Sequence, residues 1–220
     1  MEFADLDVYT PPLSAELVDE LVPFWQSIFE IPFDESRAVL AADEAAANRD
    51  TIWLLRSGEQ LAVTCQLTVS IDNPELGGLG AVATADRFRR QGLAERLCRE
   101  ARDLFRSGGG RALFLGTDNP AAARVYYRLG WRKLTGTTVM VAITDDCSPE
   151  EFLVDYFRET GGAVTISSGT PGDRVAMIPL LVLPHDEQLL DGNLGWRSVR
   201  YAEQNRCMSL YPQYDVLAAA

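Results

Sequence analysis

The sequence predicts an α/β (α+β) fold, and three observations predict it. Apolar residues recur every fourth position over residues 14–30, at Leu17, Leu21, Trp25 and Phe29. They then recur every second position from Leu61 to Ile71. A helical stripe returns over residues 91–107, and strand-like and helix-like stretches keep alternating beyond it.

Taken in order, Ser14 caps a helix that runs to Glu30, and an alanine-rich second helix covers Glu35–Asn48. Thr51–Arg56 reads as a strand, and Ser57-Gly58 as a turn. Leu61, Val63, Cys65, Leu67, Val69 and Ile71 alternate with Ala62, Thr64, Gln66, Thr68 and Ser70, which predicts a half-buried antiparallel strand. Asn73-Pro74 and Gly77-Gly78 form the next turn, and Leu79–Thr84 a further strand. From Gln91 to Ser107 the stripe is Leu93, Leu97, Ala101, Leu104 and Phe105, ended by Gly108-Gly109-Gly110. Ala112–Leu115 is a strand, and Pro120–Leu129 a helix with proline at its first position and Gly130 just past its end. Two strands follow around Gly136 within Trp131–Ile143. Ser148-Pro149-Glu150-Glu151 is a capping box that starts a helix to about Arg158. Val175–Leu183 is an apolar, strand-like run, and beyond Pro184 Trp196, Tyr201, Tyr211 and Tyr214 are placed to pack on the main body. Composition changes at Asp145-Asp146, which divides the chain into residues 1–145 and an extension, 146–220.

Charge and cysteine usage narrow the chemistry. The chain has 220 residues and a net charge of −12. Residues 1–50 hold twelve acids against Arg37 and Arg49, whereas residues 85–132 hold eleven arginines against five acids. An acidic chain repels nucleic acid, and a local basic island suits a small anionic ligand or a solvated helix face. Cys65, Cys98, Cys147 and Cys207 are scattered and His185 is the single histidine, so neither a zinc site nor a disulfide framework is expected. No stretch is apolar enough to span a membrane, the first residues do not form a secretory signal, and the expected location is the cytoplasm.

Two segments carry candidate chemistry. In the first, the strand ending near Thr84 leads into a helix through Arg89-Arg90-Gln91-Gly92-Leu93-Ala94. A helix start leaves N–H groups unpaired and carries partial positive charge, so a pyrophosphate there satisfies both. Gly92 and Ala94 keep bulk away from the backbone; glycine for purely steric reasons gives the same letters. The stretch lacks the lysine of a P-loop and the glycine spacing of a Rossmann turn. In the second, Asn119 and Tyr126 lie seven residues apart, nearly two helical turns, and share a face. An amide can hold an amide-bearing chain, and a protonated phenol can give a proton to a thiolate leaving group. A helix cap and a core aromatic are the other readings of the same pair.

Together these segments resemble the GNAT superfamily of N-acetyltransferases over about residues 1–145. Arg89–Ala94 looks like its pyrophosphate signature, R/Q-x-x-G-x-G/A, and Asn119 through Trp131 like its second signature, an asparagine, a tyrosine and then Gly-Phe or Gly-Trp. The resemblance implies a mixed, mostly antiparallel central sheet flanked by helices, with a splayed V between two central strands. It implies that main-chain groups of Val82 and Thr84 pair with the pantetheine arm of acetyl-CoA like an added strand. It implies further that backbone amides of Arg89, Arg90, Gln91, Gly92, Leu93 and Ala94 hold the pyrophosphate, that Asn119 holds the pantetheine end, and that Tyr126 protonates the departing coenzyme A thiolate. An amine would attack the thioester directly, with acetyl-CoA as cosubstrate and no metal.

Two departures from that pattern stand out. Many members carry a glutamate on the strand before the loop as general base, and here Leu79-Gly80-Ala81-Val82 has no acid. Asp72 and Glu75 are nearby acids that could act through water. Residues 146–220 run past the family's usual end, as an incomplete second copy of the fold, a pocket wall or an interface. The expected partner is a small-molecule or protein amine, not nucleic acid or membrane, and the chain leaves room for a homodimer. A non-catalytic acyl-CoA-binding or sensing module, and an interaction protein that keeps only the fold, are the alternatives.

Overall fold

A computed structural model describes residues 5–134, 137–158, 166–182, 190–191, 196–197 and 217–219. Its centre is a seven-stranded sheet of β1 (Asp7–Tyr9), β2 (Asn48–Ser57), β3 (Gln60–Ser70), β4 (Leu76–Thr84), β5 (Ala112–Gly116), β6 (Arg132–Lys133) and β7 (Val139–Ile143). The spatial order is β1-β2-β3-β4-β5-β7-β6. Every neighbouring pair is antiparallel except β4 and β5. This is the mixed, mostly antiparallel sheet that the resemblance implies. Short β8 (Ile166–Ser168) pairs with β11 (Leu217–Ala219), and β9 (Leu190–Asp191) with β10 (Trp196–Arg197).

Strand alternation sends successive residues to opposite faces. On one face Trp53, Leu55, Cys65, Leu67, Leu113 and Leu115 pack with helices α3 (Leu93–Ser107) and α4 (Pro120–Leu129). On the other, Ile52, Leu54, Ala81 and Ala83 pack with α1 (Ala15–Phe29) and with Leu40 of α2 (Ser36–Leu40). Phe152 and Leu153 of α5 (Pro149–Tyr156), with Val175 and Ile178 of α6 (Arg174–Val182), join that second face over Leu76, Ala112, Phe114, Val139 and Val141.

Several elements fall where their end signals place them. Ser14 accepts from the Leu17 amide at 3.3 Å to start α1. Asn119 and Gly130 bound α4, and Ser148 and Glu151 close a reciprocal capping box on α5. Other expectations need correction. The buried stripe of α1 is Val18, Leu21, Val22 and Trp25, while Phe29 is exposed. The second helix ends at Leu40 and not at Asn48, because Ala42 turns to φ 70° and Asn48 is drawn into pairing with Ser70. On α3 Leu104 is exposed and Cys98 takes the buried position. Val175–Val182 is helical, since a short apolar run does not distinguish a buried strand from a buried helix.

β3 is buried on both faces and not on one. Its inward polar groups are paired: Trp25 Nε1 donates to Thr64 Oγ1 at 2.9 Å, and that hydroxyl donates to the Ala81 carbonyl at 2.8 Å. Gln66 and Thr68 both donate to Asp50. Pairing is what makes such burial tolerable. Gly136, and the expected packing of Trp196, Tyr201, Tyr211 and Tyr214, lie outside the described residues and side chains.

Gly77 and Gly78 are not turn residues; they lie inside β4. A Cβ on Gly77 would lie 2.7 Å from the Phe105 ring and 2.9 Å from Leu113 Cδ1, so the glycine is needed for packing. Gly77→Ala overpacks that contact and is expected to cost about 1–3 kcal/mol, read as a fall in melting temperature of roughly 2–12 °C by calorimetry.

Candidate active site

The sheet opens where β4 leaves β5. Their parallel pairing runs through Leu76↔Ala112, Gly77↔Leu113 and Gly78↔Phe114 and stops there. Beyond it Leu79–Thr84 stay paired to β3 on one side, as far as Thr84↔Val63, and part from Leu115-Gly116 on the other. A bulge sharpens the parting. The register with β3 jumps from Gln66↔Gly80 to Thr64↔Ala83, so Ala81 and Val82 both stand opposite Cys65. Ala81 sits at φ 48° to make the jump. Val82 and Thr84 are partly exposed along this opening. An edge with unpaired main-chain groups is what an extended, amide-bearing ligand can join.

The loop from β4 to α3 brings the helix start to the same end of the sheet. Asp86–Phe88 form a single 3₁₀ turn. Arg90 and Gly92 then adopt φ of 63° and 77°, and α3 begins. Gly92 was expected for its small size alone; its positive φ, shared by the non-glycine Arg90, was not. Gly92 caps α3 with no side chain, whereas Ser14, Asn119 and Ser148 each cap theirs. The first-turn amides of α3, from Leu93 to Glu95, are therefore left without a side-chain cap. A Cβ on Gly92 would meet nothing within 4 Å, so the glycine serves backbone conformation and leaves the approach to those amides bare.

Much of the basic island is paired within the chain while staying at the surface. Arg89 pairs with Asp86 at 2.8 Å and donates through Nε to the Thr84 carbonyl at 3.3 Å. Gln91 Nε2 donates to the Arg87 carbonyl at 3.3 Å, and Arg87 lies 4.4 Å over the Phe88 ring. Glu95 takes Arg99 and Arg128, and Arg102 donates to the Leu129 carbonyl at 2.6 Å. Among the described residues Arg90 and Arg96 form no ion pair, and they flank the uncapped start of α3.

Asn119 is the N-cap of α4. Its Oδ1 accepts from the amides of Ala121 at 2.9 Å and Ala122 at 3.4 Å, so the capping bonds use the oxygen and not Nδ2. Tyr126, two turns on, is 6% exposed and packs against Trp131, ring centroids 6.1 Å apart. Burial first, then the nearby Cys98 and Cys65, hold its phenol well above the usual tyrosine range. Cys65 is itself raised by burial and by its contact with Cys98. The two thiols under Tyr126 were expected only as structural cysteines. Their meeting required the register of β3 against α3, which sequence spacing does not show.

The structure thus sets the opening, the bare helix start and the α4 phenol around one end of the sheet. A groove of about 770 Å³, between α1, the β2–β3 turn and the 3₁₀ turn, is lined by Phe24, Leu61 and Phe88 and includes none of the expected site residues. No helix among the described residues is long and apolar enough to cross a membrane, and no three His, Cys, Asp or Glu side chains among them are grouped to hold a metal ion.

Solved structures share the architecture. A GNAT-family acetyltransferase from Staphylococcus aureus Mu50 aligns with a TM-score of 0.50 at 17% identity, over 64% of this chain and 100% of its own. A GNAT-family protein from Desulfovibrio desulfuricans aligns equally, at 0.50 and 16%, over 64% and 100%. The ribosomal-protein-S18-alanine N-acetyltransferase of Escherichia coli aligns at 0.49 and 18%, over 66% and 97%. At this identity the first two alignments show a common fold. A comparison with curated proteins gives no match. Residues 15–131, more than half of the chain, match the family model described as the acetyltransferase (GNAT) family, and the chain belongs to that family.

Proposed function

We propose that this protein transfers an acetyl group from acetyl-CoA to a primary amine by direct attack. The observation that carries this reading is the coincidence of the β4–β5 opening with an uncapped helix start one loop away. The pantetheine arm lies along Val82 and Thr84 as an added strand. The pyrophosphate sits on the backbone of Arg90, Gln91, Gly92, Leu93 and Ala94, with Arg90 and Arg96 as counter-charge; the Arg89 amide, expected among these donors, already donates to the Asp86 carbonyl at 3.2 Å. Asn119 offers Nδ2 to the pantetheine end. Tyr126 gives its proton to the thiolate, and its raised pKa keeps that proton in place across the physiological range. Residues 1–145 form the transferase unit and 146–220 an extension of it.

A non-catalytic acyl-CoA-binding module is the second reading, favoured by the absence of any acid on β4. Turnover separates the two. Coenzyme A release with any amine from a panel of spermidine, L-lysine and an alanine-initiated peptide supports the enzyme. Acetyl-CoA binding with no release for any of them supports the module.

Tyr126→Phe keeps the ring and its packing and is expected to lower kcat tenfold or more, with acetyl-CoA affinity by calorimetry unchanged. Unchanged kcat removes Tyr126 from the chemistry. Because the phenol pKa is raised, wild-type kcat should show no loss from its ionisation up to about pH 10. Gly92→Val forces a β-branched residue to positive φ and places bulk before the amides. It is expected to weaken acetyl-CoA binding at least tenfold, while circular dichroism shows the fold retained.

A further inference from the structure

The sequence offers no carboxylate on β4 to receive the acceptor's proton. The structure places one on β2. Asp50 is 7% exposed and lies on the face of the sheet that carries α1 and α6, opposite α3 and α4. Its cross-sheet row is Asp50↔Thr68↔Gly78↔Phe114, and Gly78↔Phe114 is the last pair before β4 and β5 part. The next row on that face is Ile52↔Gln66↔Gly80, at the open edge itself. Gly78 and Gly80 carry no side chains, so the polar groups nearest the opening along these rows are those of Gln66 and Thr68, with Asp50 behind them.

The local hydrogen bonding is lopsided. Gln66 Nε2, at 2.9 Å, and Thr68 Oγ1 both donate to Oδ1 of Asp50, and no hydrogen bond from the described residues falls on Oδ2. The carboxyl is fixed through one oxygen and keeps the other unoccupied. Two further polar atoms in the same buried cluster lack partners, Asn48 Oδ1 and Arg174 Nε, so this region is not a closed hydrogen-bond network.

Resting on the transferase reading above, we infer that Asp50 is the residue that receives the acceptor's proton, through a water beside Gln66, on the sheet face opposite α3 and α4. The acceptor arrives as an ammonium ion. Its nitrogen releases one proton by way of that water to Asp50, and the freed lone pair attacks the thioester carbonyl carbon. The C–N bond forms and the C–S bond breaks. The thiolate takes the phenol proton of Tyr126, and the nitrogen's second proton restores the phenol. The products are the amide and the coenzyme A thiol, and Asp50 returns its proton to solvent.

Asp50 suits this task because burial raises its pKa, which brings a carboxylate nearer to an amine in proton affinity. The charged groups facing it are Arg174 of α6, which lowers the pKa, and Glu44 of the segment before β2, which raises it; β3 presents only the neutral Thr68 and Gln66. Arg174 belongs to the extension, so the extension tunes the proton acceptor.

The test uses the full chain, acetyl-CoA and the same three amines. Asp50→Asn should lower kcat by about 100-fold or more and abolish the acidic limb of its pH profile, with acetyl-CoA affinity unchanged. Arg174→Met removes a positive charge, raises the Asp50 pKa further and should move that limb to higher pH. In the wild type, which needs no variant to fold, the Asp50 carboxyl carbon followed by NMR should titrate at the midpoint of the limb. An Asp50→Asn variant within twofold of wild type with its limb in place overturns the inference, as does a carboxyl that titrates elsewhere. Parallel loss of acetyl-CoA affinity and kcat marks Asp50 as scaffold and also overturns it. A wild type that binds acetyl-CoA but acetylates none of the amines does the same, whereas one that fails to bind acetyl-CoA overturns the transferase reading itself.

Discussion

The three-residue limit on parallel pairing between β4 and β5 is the constraint on which the rest of the molecule depends. Strands that stayed paired to their ends would leave no edge inside the sheet. The bulge at Ala81 and Val82 twists β4 away while β3 holds its other side, and the chain leaves β5 at Gly116 for the turn that leads to Asn119. Two neighbouring strands thus diverge at the end where a helix starts with its amides uncapped. An exposed unpaired edge invites aggregation in most proteins. Here it is recessed between helices on both faces, so a slender extended ligand can reach it more readily than another sheet.

The opening is held from outside the strands that form it. On one face α3 and α4 pack a continuous apolar layer, in which Cys65, Cys98 and Tyr126 meet. On the other, α1 is tied to β3 by Trp25 and Thr64, and α6 inserts Arg174, 1% exposed, to pair with Glu44. A buried arginine–carboxylate pair is weak evidence for net stability, because desolvation offsets the attraction, yet removing one partner typically costs about 3–5 kcal/mol. Its effect is therefore to fix where α6 sits against the segment that precedes β2.

How much of this could be read from the letters varies with the kind of signal. End signals were legible: Ser14, the Asn119-Pro120 start, Gly130, and the Ser148–Glu151 box each mark a boundary through a local hydrogen bond or a backbone angle, and these need no tertiary context. The loop from Arg89 to Ala94 was legible as a motif for the same reason. What failed depended on what covers each element. Alternation in β3 looked half-buried because its second face is polar, and only the structure shows Trp25, Asp50 and the Ala81 carbonyl satisfying those groups. Gly77-Gly78 looked like a turn because glycine for packing and glycine for bending are the same letter. Asp50 could not be singled out among twelve acids in the first fifty residues, since its surroundings are assembled by strand register and by a residue more than a hundred positions away.

The way α5 and α6 close over the sheet has a consequence for anyone who shortens the chain. The family-matching stretch stops at Trp131, before β7 has been laid against β5. A cut there would strip β5 of a neighbour, bare Leu76, Ala112 and Phe114 to water, and leave Glu44 without its guanidinium. The stretch that matches the family and the unit that packs as one body therefore have different borders, and the underside of the sheet is finished by residues that lie beyond the match.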